Sequence, residues 1–343
     1  KQHSLSTGLS FNYDGYDQRY RLTNDVELPR LKSFEKESVP GAYVQYTYNL
    51  EDKLILMGGI RGDYSSMHGF FVTPRAHVKY NPNEFVNFRL SAGKGYRTNH
   101  VLAENNYLLA SSRKVRIAGD LDQEEACNYG ASISSYIPLL GKTLNLNAEY
   151  YYTDFRKQVV VDMDSNPHEV AFYNLDGRSY SHVFQVEASY PFFKGFTLTG
   201  AYRLTDAQTT YKGQRMEKPL TGKYKGLLTA SYQTPLGIWQ FDATLQLNGG
   251  GRMPAPYELA DGQLSWSRRY GSFEQLSMQV TRYFRRWSIY VGGENLTNFK
   301  QKNPIIDAAN PWGDNFDSTM IWGPVHGAKA YVGIRFNLAR NGE

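Results

Sequence analysis

The chain holds one cysteine, Cys127, among 343 residues, so no internal disulfide staples the fold. It has no apolar run near the ~18–20 residues that a spanning helix needs, and its mean hydropathy is −0.54. A helical membrane protein is excluded. Neither sign of charge is in large excess: 38 Lys and Arg stand against 33 Asp and Glu, interspersed, which leaves no nucleic-acid footprint. The opening residues KQHSLSTGLSFNYDGY lack the apolar stretch of a signal peptide and read as a strand entered in mid-stride. Helical periodicity is almost absent. Catalytic motifs are missing as well: there is no H-E-x-x-H, no Walker loop and no G-x-S-x-G, so the chain reads as a non-enzyme. Cys127, with no His nearby in sequence, reads as an inert packing residue.

What is present is aromatic residues, including 27 Tyr, and a strict two-residue alternation. In TLNLNAEYYYT, Leu144, Leu146, Ala148, Tyr150 and Tyr152 share a face opposite Asn145, Asn147 and Glu149. WQFDATLQLN sets Trp239, Phe241, Ala243, Leu245 and Leu247 against Gln240, Asp242 and Gln246. Near the C-terminus Val332, Ile334, Phe336 and Leu338 form an apolar face that ends on an aromatic. A soluble sandwich could use such strands. These run to ten residues or more, however, which is the ~9–11 that a bilayer requires and above the usual ~5–6. Aromatics recur beside the turns, where interfacial girdles would lie. The connections also alternate. Tight links fall at 49–53, 81–85, 138–142, 192–196, 234–238 and 284–287, and longer ones at 14–37, 97–120, 160–176, 205–222, 249–272 and 297–328, with one short exception at 65–69. Short turns on one rim and long loops on the other are the outer-membrane pattern.

The expectation is therefore an all-β, transmembrane antiparallel β-barrel wall of about fourteen strands. They fall near 4–13, 38–49, 53–65, 70–80, 85–96, 121–136, 143–159, 170–190, 196–205, 223–233, 238–248, 273–283, 287–295 and 329–338. Residues 1–338 supply the barrel strands, and 339–343 form a periplasmic tail.

Several stretches resemble the C-terminal barrel of TonB-dependent outer-membrane receptors, especially the Bacteroidetes type. GGENLTNFKQKNPI (292–305) followed by FDSTMIWGPVHGAKAYVGIRFNL (316–338) is similar to the family's last hairpin. RGDYSSMHGFFVTPRAHVKYNP (61–82), SAGKGYRTNHVLAEN (91–105) and GDLDQEEACNYGASIS (119–134) resemble further family segments. Asn99 and Gln123 depart from it where prolines are common. The resemblance implies that these strands are the C-terminal part of a barrel of about 22 strands, its plug domain outside this chain. It also implies active import across the outer membrane of a Gram-negative bacterium. Energy would come from the TonB–ExbB–ExbD complex acting through that plug. Outer-membrane lipid surrounds the barrel, and a surface lipoprotein is a further partner. No resident cofactor is expected; a metal chelate (siderophore, haem, corrinoid or soft-metal complex) is the expected cargo. A glycan or oligosaccharide importer of the same family and a self-contained passive channel are the alternatives.

Arg75, His77, Lys79, Asn87, Arg89, Glu149, Glu187, Arg203 and Asp242 are expected to face the lumen, because a charge on the lipid face costs about 2–4 kcal/mol at midplane. Hydrogen bonding to a plug or water is the plainer role for them, and ligand guidance the sharper one. In the loops, His68, His100, His168 and His326 are candidate ligand contacts. So are Tyr107, Tyr257, Trp266, Trp312 and Trp322, as stacking surfaces. Thioether and imidazole together suit soft or borderline metals, which makes His68, His168, His326, Met67, Met163 and Met320 a candidate metal set. Against this, loops tolerate most residue types, and loop aromatics also pack on one another.

Overall fold

In the computed structural model, which describes residues 2–20, 31–259 and 262–337, one antiparallel sheet carries the chain. Its strands are β1 (His3–Tyr20), β2 (Leu31–Leu50), β3 (Leu54–Ser65), β4 (Gly69–Asn83), β5 (Val86–Arg97), β6 (Glu124–Leu139) and β7 (Lys142–Lys157). They continue as β8 (Ser179–Phe193), β9 (Phe196–Tyr211), β10 (Tyr224–Gln233), β11 (Trp239–Asn248), β12 (Phe273–Tyr283), β13 (Trp287–Glu294) and β14 (Lys329–Phe336). Each pairs with its chain neighbours, and the order β1 to β14 ends without a ladder between β1 and β14 among the described residues. A fifteenth short strand, Gln214–Glu217, folds back on β9.

The expected rhythm of turns is present. Tight links leave only residues 51–53, 84–85, 140–141, 194–195, 234–238 and 284–286 outside strands on one rim. Two of them are built on consecutive residues at positive φ, Glu51 (50°) with Asp52 (56°), and Leu140 (47°) with Gly141 (74°), whose twist matches that of the flanking strands. Asn49 closes the first by donating to Asp52 Oδ1 (2.7 Å) and accepting from its amide (2.9 Å).

Several boundaries differ from the sequence reading; within the expected loop at 205–222, β9 runs on to Tyr211 and Gln214–Glu217 folds back on it. The expected loop at 14–37 is mostly strand, since β1 and β2 stay paired from His3–Tyr48 to Tyr20–Leu31. The expected strand 170–190 is two elements. Residues Glu169–Asn174 leave the barrel for a loop sheet, and Gly177, at φ 126°, turns the chain back into β8. Val170 and Phe172, two residues apart, are the buried pair of this strand because they fill a core between loops. Alternation reports a buried face without saying which sheet owns it.

Directly opposed residues of an antiparallel ladder project to the same side, so the register carries facing from strand to strand. Val332–Val291–Val280–Phe241–Tyr232–Phe196 is one unbroken apolar row across six strands. Lys79–Arg89–Ser132–Glu149–Gln185–Arg203–Lys225 is a polar row on the other side across seven. No second large sheet covers the apolar face among the described residues: the remaining sheets are three- and two-stranded pieces of the long connections. Val332 is 74% exposed and Ile334 70%. A sandwich would bury these side chains in its core; here they form the outer surface of a barrel wall. Leu338 and the tail 339–343 lie outside the described residues.

A spin label at Ile334 in the membrane-inserted protein should be relaxed by oxygen and shielded from an aqueous nickel chelate. A label at Gly333, its neighbour on the polar face, should show the reverse. Nickel access at 334 would overturn the facing.

Candidate functional site

Strands that present one face to lipid and one to a lumen have no apolar core of their own, and the cluster of buried apolar side chains lies in the long connections. Connection 98–123 contributes Val101 and Leu108, 158–178 contributes Val159, Met163, Val170 and Phe172, and 249–272 contributes Met253 and Tyr270; Met320 comes from 295–328. Short elements hold these in place. Val101–Glu104 is one helical turn, and Lys114–Ile117 and Val159–Asp162 flank Glu169–Asn174 in the loop sheet.

Polar clasps complete the assembly. Arg252 grips Asp164 with both guanidinium nitrogens (2.7 and 3.0 Å), and the Ala255 amide donates to the same carboxylate (2.8 Å). Asp162 accepts from the amides of Asp164 and Ser165, from Ser165 Oγ (2.6 Å) and from Tyr173 OH (2.8 Å). Burial alone would raise its pKa, but those donors outweigh burial and hold it below the ordinary carboxylate range. Tyr173 moves the opposite way, through burial and its bond to Asp162. Arg113 and Asp317 pair at 2.9 Å with both side chains 3% exposed, joining the 98–123 and 295–328 connections.

Between the 249–272 and 295–328 connections lies a cavity of about 450 Å³. Trp266, Tyr270 and Trp322 wall it with Met253, Met320 and Ile306, while Arg269 and Lys302 bring positive charge. Trp322 stacks on Tyr270 (5.1 Å, 18°), and Tyr257 packs edge-on against Trp266 (5.4 Å, 83°). Gln301 fixes the Trp322 backbone, its Oε1 accepting from the amides of Trp322 (2.8 Å) and Gly323 (3.1 Å). Trp266 donates from Nε1 to the Pro254 carbonyl (2.9 Å). Burial pushes the Tyr270 hydroxyl upward, so it stays a neutral donor at physiological pH. Arg269 is paired with Glu217 at 2.9 Å; Lys302 has no ion-pair partner among the described residues. A wider concavity of about 540 Å³, lined by Arg61, Asp63, Arg75 and Lys94, lies along β2–β5.

The other residues singled out in the sequence scatter. Trp266 and Trp322 meet at the cavity with Tyr257 behind, and His168 packs on Tyr257 at 4.7 Å. Tyr107 and Trp312 are exposed, 50% and 70%, and do not line it. Met67 and His68 line a separate cavity of about 310 Å³. His100 is buried, 3.0 Å from Glu35 Oε2 and stacked on Tyr16 at 3.9 Å. His326 supplies its backbone carbonyl to Asn295 Nδ2 (3.1 Å). The proposed metal set His68, His168, His326, Met67, Met163 and Met320 is not drawn together. Met163 and Met320 are 4% and 2% exposed inside the apolar cluster, where thioethers fill gaps. Among the described residues no group of three or more His, Cys, Asp or Glu converges on a point. Arg75, His77, Lys79, Asn87, Arg89, Glu149, Glu187, Arg203 and Asp242 all fall on the polar face by register. Gln301, Arg269 and Lys302 were not singled out in the sequence. Nothing local marks them, since their roles arise from contacts between distant connections.

A single antiparallel wall with tight turns on one rim, and interlocked loops holding an aromatic cavity on the other, defines a transmembrane β-barrel fold. The family model "TonB dependent receptor-like, beta-barrel" matches residues 2–296, and the chain belongs to that family. The closing hairpin beyond residue 296 is placed by the β13–β14 ladder instead. Among solved structures, the chain is similar to the siderophore receptor PirA from Acinetobacter baumannii at 12% identity and TM-score 0.69, covering 97% of this chain and 52% of that one. The copper transporter OprC is similar at 13% and 0.71, covering 98% and 54%. The FrpB iron transporter from Neisseria meningitidis (F5-1 variant) follows at 14% and 0.68, covering 98% and 53%. The chain thus spans about half the length of these structures. No curated protein sequence matches it.

Replacing Arg252 by Ala leaves the Asp164 carboxylate buried without its partner, a loss of about 3–5 kcal/mol for a pair of this kind. Amide exchange should accelerate across 159–174 and 249–256 while β3–β7 stay protected. The pH dependence follows from Asp162, whose folded-state pKa is depressed. Its contribution is complete above the ordinary carboxylate range of about 4 and is lost only as pH falls through the lower folded value. Protection of residues 159–174 should therefore stay flat from pH 7 to about 4 and drop below that. A loss centred between pH 5 and 7 would contradict this assignment.

Proposed function

We propose that the protein serves active import across the outer membrane of a Gram-negative cell, with a metal chelate as cargo and the chelator left in place around the metal. The observation that carries the reading is the cavity walled by Trp266, Tyr270 and Trp322 and edged by Arg269 and Lys302. Aromatic faces suit a bulky, partly planar ligand, and the positive edge favours a negative one. The named neighbours, receptors or transporters for siderophores, copper and iron, support the same cargo class. The polar row along the sheet is the conduit wall in this reading, and TonB–ExbB–ExbD acts through a plug in the lumen, with a surface lipoprotein as a further contact. Binding and transfer need no chemistry on the ligand. A glycan would stack on the same rings, but the cationic edge favours an anionic chelate.

The test is tryptophan-fluorescence titration of the purified receptor with ferric catecholate and hydroxamate siderophores, haem, a corrinoid and copper complexes. At least one should bind, and Trp322→Ala or Trp266→Ala should weaken it about tenfold, the size of one lost aromatic stack of ~1.4 kcal/mol. Lys302→Gln should weaken anionic chelates more than neutral ones. Binding untouched by all three substitutions would overturn the site; binding of oligosaccharides alone would overturn the cargo.

A further inference from the structure

The short-turn rim carries a second feature, independent of the loop cavity. Arg282 lies on the outward, apolar face of β12: its ladder partners are Trp239 on β11 and Ile289 on β13, and Ile289 pairs onward with Ile334. Its same-face neighbour along the strand is Val280, and Phe284 lies just past the strand end. A guanidinium on this face has no water-filled lumen to turn towards. At the membrane centre it would be strongly disfavoured, and near the rim the cost falls away. The side chain is exposed and rests between two rings, 5.1 Å from the centroid of Trp239 and 5.0 Å from that of Phe284. Phe284 in turn stacks on Trp287 at 4.0 Å and 9°. Aromatic residues of this kind mark the interfacial level of a barrel.

Held between the rings, the guanidinium keeps its N–H edge free. Among the described residues it has no ion pair, and no side-chain hydrogen bond to it is present. The turn that follows adds Arg285 and Arg286, both exposed and also without an ion-pair partner among the described residues. Three cations thus crowd this turn, and among the described residues none of them is paired with a carboxylate. A planar fork of N–H donors fits phosphate oxygens, and the rings beside it fit acyl chains.

We propose that Arg282, clamped by Trp239 and Phe284 and assisted by Arg285 and Arg286, binds the phosphate of an anionic phospholipid of the membrane leaflet at the short-turn rim. The occupant is a lipid headgroup because the donor edge sits among outward-facing apolar side chains, which a free ion in water does not reach. This inference rests on the membrane-barrel architecture and is independent of what the loops import.

Native mass spectrometry of the purified receptor, exchanged into mixed micelles of phosphatidylglycerol and phosphatidylcholine, tests it. The wild-type protein should retain phosphatidylglycerol in preference to phosphatidylcholine. Arg282→Gln should lower that retention about fivefold, the size of one cation at a membrane surface. Arg282→Lys should retain part of it, and Trp239→Leu should lower it by loosening the clamp. Heat-modifiable gel mobility confirms that each variant is a folded barrel, so a folding failure is not read as lost binding, and ligand titration checks the loop cavity separately. Equal retention by wild type and Arg282→Gln would overturn the proposal. So would equal retention of the two lipids, or full competition by millimolar inorganic phosphate, which would make the site a free-anion site.

Discussion

A backbone that crosses hydrocarbon must satisfy its N–H and C=O groups within the protein, and the fourteen-strand ladder is how this chain does it. Everything else depends on that pairing. Because opposed residues share a side, fixing one strand's facing fixes its neighbour's, and a slip of one residue would send Arg89 and Glu149 into lipid with the whole row they belong to. The apolar row through Val332, Val280 and Phe241 and the polar row through Lys79, Glu149 and Arg203 are one constraint seen from two sides.

That arrangement leaves the sheet without a core. Cohesion has to come from elsewhere for anything above the membrane, and the long connections make their own. Met163, Met253 and Met320, from three connections, meet Val170, Phe172 and Leu108 in a cluster that no connection could form alone. Each side chain fully buried there stabilises by about 1.5–3 kcal/mol relative to exposure. The buried ion pairs add little net stability but penalise wrong arrangements of the loops, since any packing that separates Arg113 from Asp317 leaves both charges buried and unpaired. The cavity beside this cluster is therefore pre-formed rather than assembled from loose segments, which lowers the ordering cost of binding.

How much of this was legible depends on the range of the interaction. Two-residue alternation and turn chemistry are local, so the strand order, the tight links and the polar row are written plainly along the chain. The same local signal misled at Glu169–Asn174, where an alternating stretch belongs to a loop sheet, and at 14–37, where polar residues continue a hairpin. The methionines illustrate the other limit. A thioether in a loop is equally suited to a soft metal or to an apolar gap, and only the convergence of other connections around Met163 and Met320 shows which the fold uses. The motif at Glu294–Asn298 turns out to be structural. Asn295 and Asn298 take positive φ (51° and 55°), and Asn295 Nδ2 ties the carbonyls of Phe299 and His326 together. Asparagine tolerates that conformation and supplies the donor in one residue.

That turn also ties the cavity to the barrel wall. Asn295 follows β13 directly, so its position is set by the ladder to β12 and β14. Its amide fixes Phe299, whose ring stacks on Phe273 at the start of β12 (4.7 Å, 9°) and lies 6.1 Å from Trp322. Two residues on, Gln301 holds the Trp322 and Gly323 amides and donates to the Met320 carbonyl (2.8 Å). The indole that walls the cavity is thus reached from the sheet through three short, satisfied contacts.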